Sequence, residues 1–598
     1  MGKASQRKIQ QRTHEPPPKT ELPPQYFLTK PLPVFLLLAV LATLIYSNTF
    51  SVPFVFDDLR NIVENPRIKD LKNFLDFSGS RYVGFLSFAL NYYFGKLSPL
   101  GYHLVNLAIH IANGFLVYLF VLLLFRTPRM TDSDLKIQSP WIAFATALFF
   151  ISHPIQTQAV TYIVQRFASL VTFFYLSAVI CYLKWWLTPD GQNRGTGWYV
   201  MALLSTIVAM KTKEISFTIP IMIVLIETAF FSAFTKKRWF SLVPFLFTLL
   251  IIPLSRIDVA GGAEKGFAQE TTAIGRSDYL FTQFRVILTY LRLLLLPMDQ
   301  NLVYDYPIYH SLFDPSVLLS FLFLSILSGV SFYLTFTSSS GSLRLSGFGM
   351  LWFFLSLSIE SSLIPIRDVI FEHRLYLPSV GFFLAAVMGA VTGLPHLPSA
   401  MKRREAASSL FAILIFSFSL ATYQRNGVWK NSLTLWEDVV SKAPGSFMGH
   451  NNLGNALSKE GKLDEAIEHF HEALRIEPPL WFAHNSLGAT LMKQGKVDEG
   501  IKHFYKTIEI KRDYEIAHHN LGIALGMKGE FEEAIPHFLK AIEIKPDDEN
   551  THYYLGLAYA NLERFDEARR EFETALQIDP QFVQARQKLE EMSRMRPK

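Results

Sequence analysis

The chain of 598 residues carries a net charge of +6, is 50% hydrophobic and 14% aromatic, and has a positive mean hydropathy. That composition excludes an ordinary soluble globule and a disordered chain, and points to a membrane protein. Its surplus Lys and Arg sit in the N-terminal segment and in short loops, where membrane orientation accounts for them, so no nucleic-acid partner is expected; the single Cys181 excludes an internal disulfide.

Residues 1–30 read as a basic, Pro-rich cytoplasmic tail (Lys3, Arg7, Lys8, Arg12, Lys19, Lys30). The apolar run after Leu32 is long and lacks a small-residue cleavage site, so it is expected to stay as an anchor helix. Spans are then expected at 31–49, 100–125, 139–152, 160–187, 197–210, 215–232, 239–256, 313–337, 345–365, 375–395 and 408–423, about eleven crossings. With that count Arg126 and Arg129, Lys184, Lys236-Lys237-Arg238, Arg344 and Lys402-Arg403-Arg404 all fall on the cytoplasmic side. Segment 279–297 is apolar too, but crossing there would move the Lys402 cluster outside, and Arg285 and Arg292 resist lipid. It is therefore expected to dip in without crossing. The short span 139–152 and the charged turn Lys211-Thr212-Lys213-Glu214 imply a solvated internal cavity. A membrane domain at 31–424 and a soluble domain at 425–598 follow, the latter on the non-cytoplasmic side, periplasmic or luminal.

In the soluble domain Leu453-Gly454, Leu487-Gly488, Leu521-Gly522 and Leu555-Gly556 recur every 34 residues. So do Ala466, Gly500, Ala534 and Ala568, and Phe470, Phe504, Phe538 and Phe572. Pro478, Pro546 and Pro580 close the second helices, with Arg512 in the register of the missing proline. This is the pattern of tetratricopeptide repeats, helix pairs that stack into an α-solenoid with a peptide-binding groove. Trp436 and Pro444 keep the register upstream, giving four repeats and a half repeat. Asn452 and Asn520 fall on the groove-lining helix, where an amide can pair with a peptide backbone or stand as a solvated polar group.

The residues able to carry chemistry gather at the outer ends of the spans. Asp57 and Asp58 follow the first span directly; adjacent acids disfavour joint ionisation, which suits a general base or a metal ligand, while a capping role is the structural alternative. His153-Pro154 ends the third span, Arg166 sits within the fourth, Lys213 and Glu214 line a turn, and Arg367, Asp368, Glu372, His373 and Arg374 cluster. Carboxylates beside cations at an apolar cavity suit transfer from a lipid-linked phosphate, the acid taking a hydroxyl proton and the cations holding the departing phosphate. The chain has no GxxxxGK[ST], HExxH or GxSxG, so nucleotide-driven, zinc-protease and serine-hydrolase chemistry lose support.

Phe56-Asp57-Asp58 with Asn65-Pro66, the stretch 81–106, His153-Pro154, Ile163-Val164-Gln165-Arg166, Lys213-Glu214, Glu372 to Ser379 and the repeats resemble, in this order, one family. It is the transmembrane and tetratricopeptide-repeat O-mannosyltransferases with their bacterial relatives, among the lipid-carrier-dependent glycosyltransferases of GT-C type. The resemblance implies an all-α protein, a polytopic helical membrane domain of that type followed by the α-solenoid. It implies Asp57 as catalytic base, with Asp58 its partner or a metal ligand, the need for a divalent metal being open. Arg374, Arg166, Lys213 and His373 would contact the carrier phosphate, and Glu372, Glu214 and His153 would organise that pocket. Two departures stand out: the family's Gly-Arg-Ala-Glu is here Gln165-Arg166-Phe167-Ala168, and His373 intervenes where an Arg often follows Glu372 directly.

The expected function is transfer of a sugar, mannose or another hexose, from a polyprenyl-phosphate donor to a hydroxyl of a protein acceptor held by the repeats. A non-catalytic membrane-anchored scaffold and a lipid-linked glycan transporter are the competing readings. Eleven spans exceed what an anchor needs, and the outward acidic pair serves no anchoring purpose.

Overall fold

The computed structural model describes residues 24–595 except 76, 78, 80, 131–133, 189–194, 232–235, 256, 259–261, 264–273, 363, 367 and 394–399. Most of the basic tail, Arg367 and the side chains of Lys402, Arg403 and Arg404 thus lie outside the described residues. The chain forms two compact units. One comprises Met1–Gln300 with Pro307–Trp429, the other Asn301–Tyr306 with Lys430–Lys598. The division therefore falls a few residues after the expected 424, and six residues from within the membrane domain join the second unit.

In the first unit every predicted span lies on a helix: α1 (Pro31–Ile45), α3 (Pro99–Leu124), α4 (Ser139–Ser152), α5 (Arg166–Leu187), α6 (Thr196–Met210), α7 (Ile219–Phe230), α8 (Lys236–Phe247), α10 (Pro315–Thr337), α11 (Gly341–Leu357), α12 (Pro378–Gly393) and α13 (Ala400–Gly427). Two further helices, α2 (Tyr82–Gly95) and α9 (Arg276–Leu295), lie between them. Five segments are long and apolar enough to cross a bilayer: Pro99–Leu124, Leu135–Ser152, Ile163–Leu187, Pro315–Thr337 and Ala406–Lys430. The protein is an integral membrane protein. Proline sits in the first turn of α1, α3, α4, α7 and α10, where its missing N–H takes no bond from the helix. Asp314 caps α10 by accepting from the Ser316 and Val317 N–H groups.

The expected span 345–365 stops as a helix at Leu357, and the chain beyond it turns so that Glu360 can meet Lys213. Segment 279–297, expected to dip, is the helix α9. Its Arg285 donates to Ser320 Oγ at 3.3 Å and its Arg292 to the Met298 carbonyl at 3.1 Å. A two-residue antiparallel pairing, Ile257–Asp258 with Gly262–Ala263, is the only strand structure among the described residues.

The second unit opens with the half repeat α14 (Ser432–Lys442), whose Trp436 is buried. Asn301 donates from Nδ2 to the Val439 carbonyl at 3.4 Å, and the Asp305 carboxylate covers Gly445. Four helix pairs follow: α15 and α16 (Phe447–Lys459, Leu463–Ile476), α17 and α18 (Trp481–Lys493, Val497–Ile510), α19 and α20 (Glu515–Lys528, Phe531–Ile544), α21 and α22 (Glu549–Asn561, Phe565–Ile578). The sequence reading did not single out a closing helix, α23 (Val583–Met595). The repeat glycines have one reason: a Cβ at Gly454, Gly488, Gly522 or Gly556 would stand 2.7–2.8 Å from the Phe ring of the same repeat. Each aromatic thus packs on the glycine of its partner helix. The turn between the two helices takes a left-handed residue, Gly461, Gly495 or Gly529, and in the last repeat Glu563 at φ 60°.

A histidine ladder joins the helices of each pair. Nδ1 of His450, His484 and His518 lies 2.9, 3.0 and 3.2 Å from Nδ1 of His469, His503 and His537, and His552 meets Glu571 at 2.6 Å. Nε2 of His450, His518 and His552 is 3.0–3.1 Å from a carbonyl in the preceding turn.

Candidate active site

The loop after α1 carries Asp57 and Asp58 in opposite settings. Phe56 before them has φ 51°, a left-handed backbone that a bulky side chain adopts only when its surroundings hold it. Asp58 is fully buried; its Oδ2 accepts the Val55 N–H at 3.1 Å and its Oδ1 the Val164 N–H at 2.7 Å. It therefore ties its own loop to the turn before α5, the structural role left open by the sequence. Burial pushes its carboxyl up to about 8 against those two amide donors. Asp57 is only half-buried. Burial raises its pKa from 3.8, a hydrogen bond from Tyr162 opposes this, and the neighbouring Asp368 adds to the rise. A raised pKa makes this carboxylate a better proton acceptor.

Each Asp58 oxygen already accepts a buried amide N–H, which leaves Asp57 as the less committed carboxylate of the pair. Among the described residues no group of three or more His, Cys, Asp or Glu comes together in a way that holds a metal ion.

Arg166, expected at the carrier phosphate, braces helices instead. Its guanidinium donates to Asn106 Oδ1 and Asn91 Oδ1 at 2.6 Å each, to the Tyr102 carbonyl at 2.9 Å and to the Ser87 carbonyl at 3.2 Å. It lies over the Phe88 ring at 4.6 Å, so α2, α3 and α5 are fastened around it. His153 is a corner post: its Nδ1 accepts the Ile155 N–H and its Nε2 lies 3.2 Å from the Leu294 carbonyl. Glu214 pairs with Arg81 at 3.2 Å; burial would raise its pKa, but Arg81 and Lys213 hold it at about 2. Glu372 accepts from Gln300 Nε2 at 2.8 Å, and Gln300 also donates to the Pro154 carbonyl at 3.1 Å, clipping the loops at 154 and 372 together.

The remaining predicted residues share a small pocket, lined by Lys213, Glu360, His373 and Arg374 and by apolar groups that include Ala168, Val171 and Leu377. Lys213 is ion-paired with Glu360 at 2.7 Å, both nearly buried. Glu360 Oε2 and His373 Nδ1 are buried without a partner. His373 is pushed well below its usual 6.5, chiefly by burial and then by Lys213 and Arg374, so its imidazole is neutral. Arg374 donates to the Val369 and Asp368 carbonyls at 3.1 and 2.7 Å. Since Asp368 also acts on Asp57, one short segment connects the cavity to the half-buried acid. The polar face of α9 holds that segment. Gln283 donates to the Val369 carbonyl, Tyr279 to the Glu360 carbonyl and Tyr290 to the Phe371 carbonyl, at 2.9, 2.7 and 3.0 Å.

In the repeat unit Asn520 Nδ2 donates to Asn485 Oδ1 at 3.2 Å, and Asn452, two repeats before Asn520, is half-buried. Asn485, not singled out from sequence, shares a register with Asn451, whose Oδ1 is buried without a partner.

Family profiles described as tetratricopeptide repeat match residues 448–479 and 550–582, and one described as TPR repeat matches 527–563. Protein O-mannosyl-transferase Tmtc3 of Drosophila melanogaster is 27% identical over 518 residues, covering 74% of this chain and 55% of the relative. Protein O-mannosyl-transferase F38B6.6 of Caenorhabditis elegans is 26% identical (74% and 62% covered), and human TMTC3 25% (74% and 51%). The chain is thus related to the O-mannosyl-transferases with these names over most of its length, and spans roughly half to three fifths of theirs. Among solved structures, YrrB, a TPR protein, covers 30% of this chain and 89% of its own at 21% identity and TM-score 0.25; a MamA structure covers 25% and 88% at 26% and 0.23.

Proposed function

We propose that the membrane unit is a glycosyltransferase that moves a hexose, mannose foremost, from a polyprenyl-phosphate carrier to a hydroxyl of a protein acceptor on the non-cytoplasmic side. The observation that carries this reading is the pocket formed by Lys213, His373 and Arg374. It offers two cations, Lys213 and Arg374, and an unpartnered neutral His373 Nδ1, against an apolar wall that suits a lipid carrier. The acceptor oxygen attacks the anomeric carbon, its proton passes to the Asp57 carboxylate, and the bond from that carbon to the phosphate oxygen breaks. The bonding electrons leave with the polyprenyl phosphate, whose charge Lys213 and Arg374 stabilise and to which His373 donates or accepts a hydrogen bond. Glu360 occupies Lys213 at 2.7 Å, so donor phosphate and Glu360 compete for one ammonium group. Arg166 and Asp58 take no part in this scheme except as scaffold, and no step runs through a metal.

The relatives' names support the reaction class, and the repeats, as protein-interaction modules, suit an acceptor protein. If the soluble repeat unit lies on one side of the bilayer, residues 307–429, which separate its two parts, cross an even number of times. The four spans read there from sequence meet that requirement; the outer side itself rests on the loop charges. The test is purified protein in lipid nanodiscs with mannosyl polyprenyl phosphate and candidate acceptor proteins. One hexose mass added to an acceptor is expected; protein that binds acceptors but adds no mass with any polyprenyl-phosphate hexose would leave the scaffold reading standing.

A further inference from the structure

Tyr162 sits in the turn before α5 and is 1% exposed. Its hydroxyl accepts the Asp57 N–H at 3.0 Å, immediately after the left-handed Phe56. The left-handed backbone of Phe56 must be held by its surroundings, and the N–H of the next residue is bonded to a phenol more than a hundred residues away. The Tyr162 ring is in turn stacked on Trp429, with centroids 5.2 Å apart and planes 30° apart. Trp429 is 0% exposed and is the last residue of the membrane unit before the chain enters the repeats. Less than one turn upstream, Asn426 donates to the Ile45 carbonyl at 3.1 Å and accepts from Thr161 Oγ1 at 2.8 Å, fixing the residue before Tyr162 to the end of α1. The loop that bears Asp57 is thus gripped from α13, not only by its own neighbours.

We propose that Tyr162, backed by the ring of Trp429 and by Asn426, is a positioning residue that sets the Asp57 carboxylate at the acceptor hydroxyl. This rests on the reading of Asp57 as the base. The phenol holds the Asp57 amide, and its hydroxyl lowers the carboxyl's pKa against burial, so its loss frees the backbone that aims the carboxylate and removes a group that favours the ionised form. Nothing in this arrangement touches the donor phosphate cavity, so donor affinity should not change.

The experiment is steady-state mannose transfer by the full chain in nanodiscs, run as a pH profile on wild type, Tyr162→Phe, Trp429→Phe, Trp429→Ala and Asp57→Asn. Tyr162→Phe keeps the ring on Trp429 and should lower kcat by roughly 10- to 100-fold with donor KM unchanged, the scale that a small misplacement of a catalytic group carries. Its acid limb should move to higher pH, because a carboxylate without its donor takes a proton more readily. Trp429→Phe should recover most of what Trp429→Ala loses. Wild-type kcat and an unmoved acid limb in Tyr162→Phe would overturn the proposal, as would a loss of activity matched only by loss of folded protein. Full activity in Asp57→Asn would instead overturn the reading of the base, whatever Tyr162→Phe did.

Discussion

Asp57 and Asp58 are adjacent in sequence and differ in what a one-atom change does to them. Asp58 uses both carboxylate oxygens as acceptors for buried amides, Val55 N at 3.1 Å and Val164 N at 2.7 Å. In Asp58→Asn one of those N–H groups faces an NH2 and loses its acceptor. An orphaned buried donor costs about 1–3 kcal/mol, and the lost bond is the one that pins the Asp57 loop to the turn before α5. Asp57→Asn keeps shape and most contacts of a half-buried side chain, so stability should stay within about 0.5 kcal/mol of wild type. Turnover should nevertheless fall by about two to four orders of magnitude, the usual contribution of a general base. The assay pairs thermal unfolding of the solubilised protein with transfer measured per folded molecule. Asp58→Asn should melt earlier and Asp57→Asn should be folded but inactive. A stable, inactive Asp58→Asn beside an active Asp57→Asn would refute the division of labour and move the base one residue along.

Lys213→Ala should raise KM for the donor, but it also strands Glu360 as a buried charge. The double variant Lys213→Ala/Glu360→Gln should therefore melt above the single one while remaining poor with donor; equal melting would mean that the pair is not a closed ion pair in the membrane. The isolated repeat unit from Lys430 should lose stability in acid. Burial foremost pushes His469, His484, His519 and His537 below 6.5 and His503 to about 4, so unfolded chains bind more protons than folded ones as pH falls from about 6.5 toward 4. His552 runs the other way, since burial is outweighed there by Glu571, but it is one against five. A melting temperature that holds or rises between pH 7 and 4.5 would contradict the neutral ladder. A reporter active only outside the cytoplasm should work when fused after Lys598; silence there with activity near Lys402 would invert the topology.

The repeats were legible because each helix pair needs the same few contacts every 34 residues. The structure adds the reason for Gly454 and its equivalents, a ring of the partner helix 2.7–2.8 Å from any added Cβ. In the membrane unit, hydropathy located the helices but not their partners. The family resemblance placed Arg166 at the carrier phosphate. Its acceptors are instead Asn91, Asn106 and backbone carbonyls on two other helices, which no local pattern reveals. Lys213 and Glu360 are likewise joined only by the fold, and Tyr162 offered no signal beyond an aromatic before a helix. Asp57, next to a span end, and the cluster from Asp368 to Arg374 could be singled out from local position alone, while their roles belong to the proposed function.

The membership of Asn301–Tyr306 in the repeat unit bears on the order in which the protein is made. The segment leaves the ribosome before residues 307–429, and the half repeat it packs on, from Lys430, leaves after them. At about 5–20 residues per second that interval is on the order of ten seconds. Throughout it Asn301 and Asp305 have no half repeat to pack on, while the last spans are still being inserted. The first layer of the repeat array is therefore completed only by chain synthesised after those spans, so a stall or insertion error within 307–429 leaves the array without its opening edge.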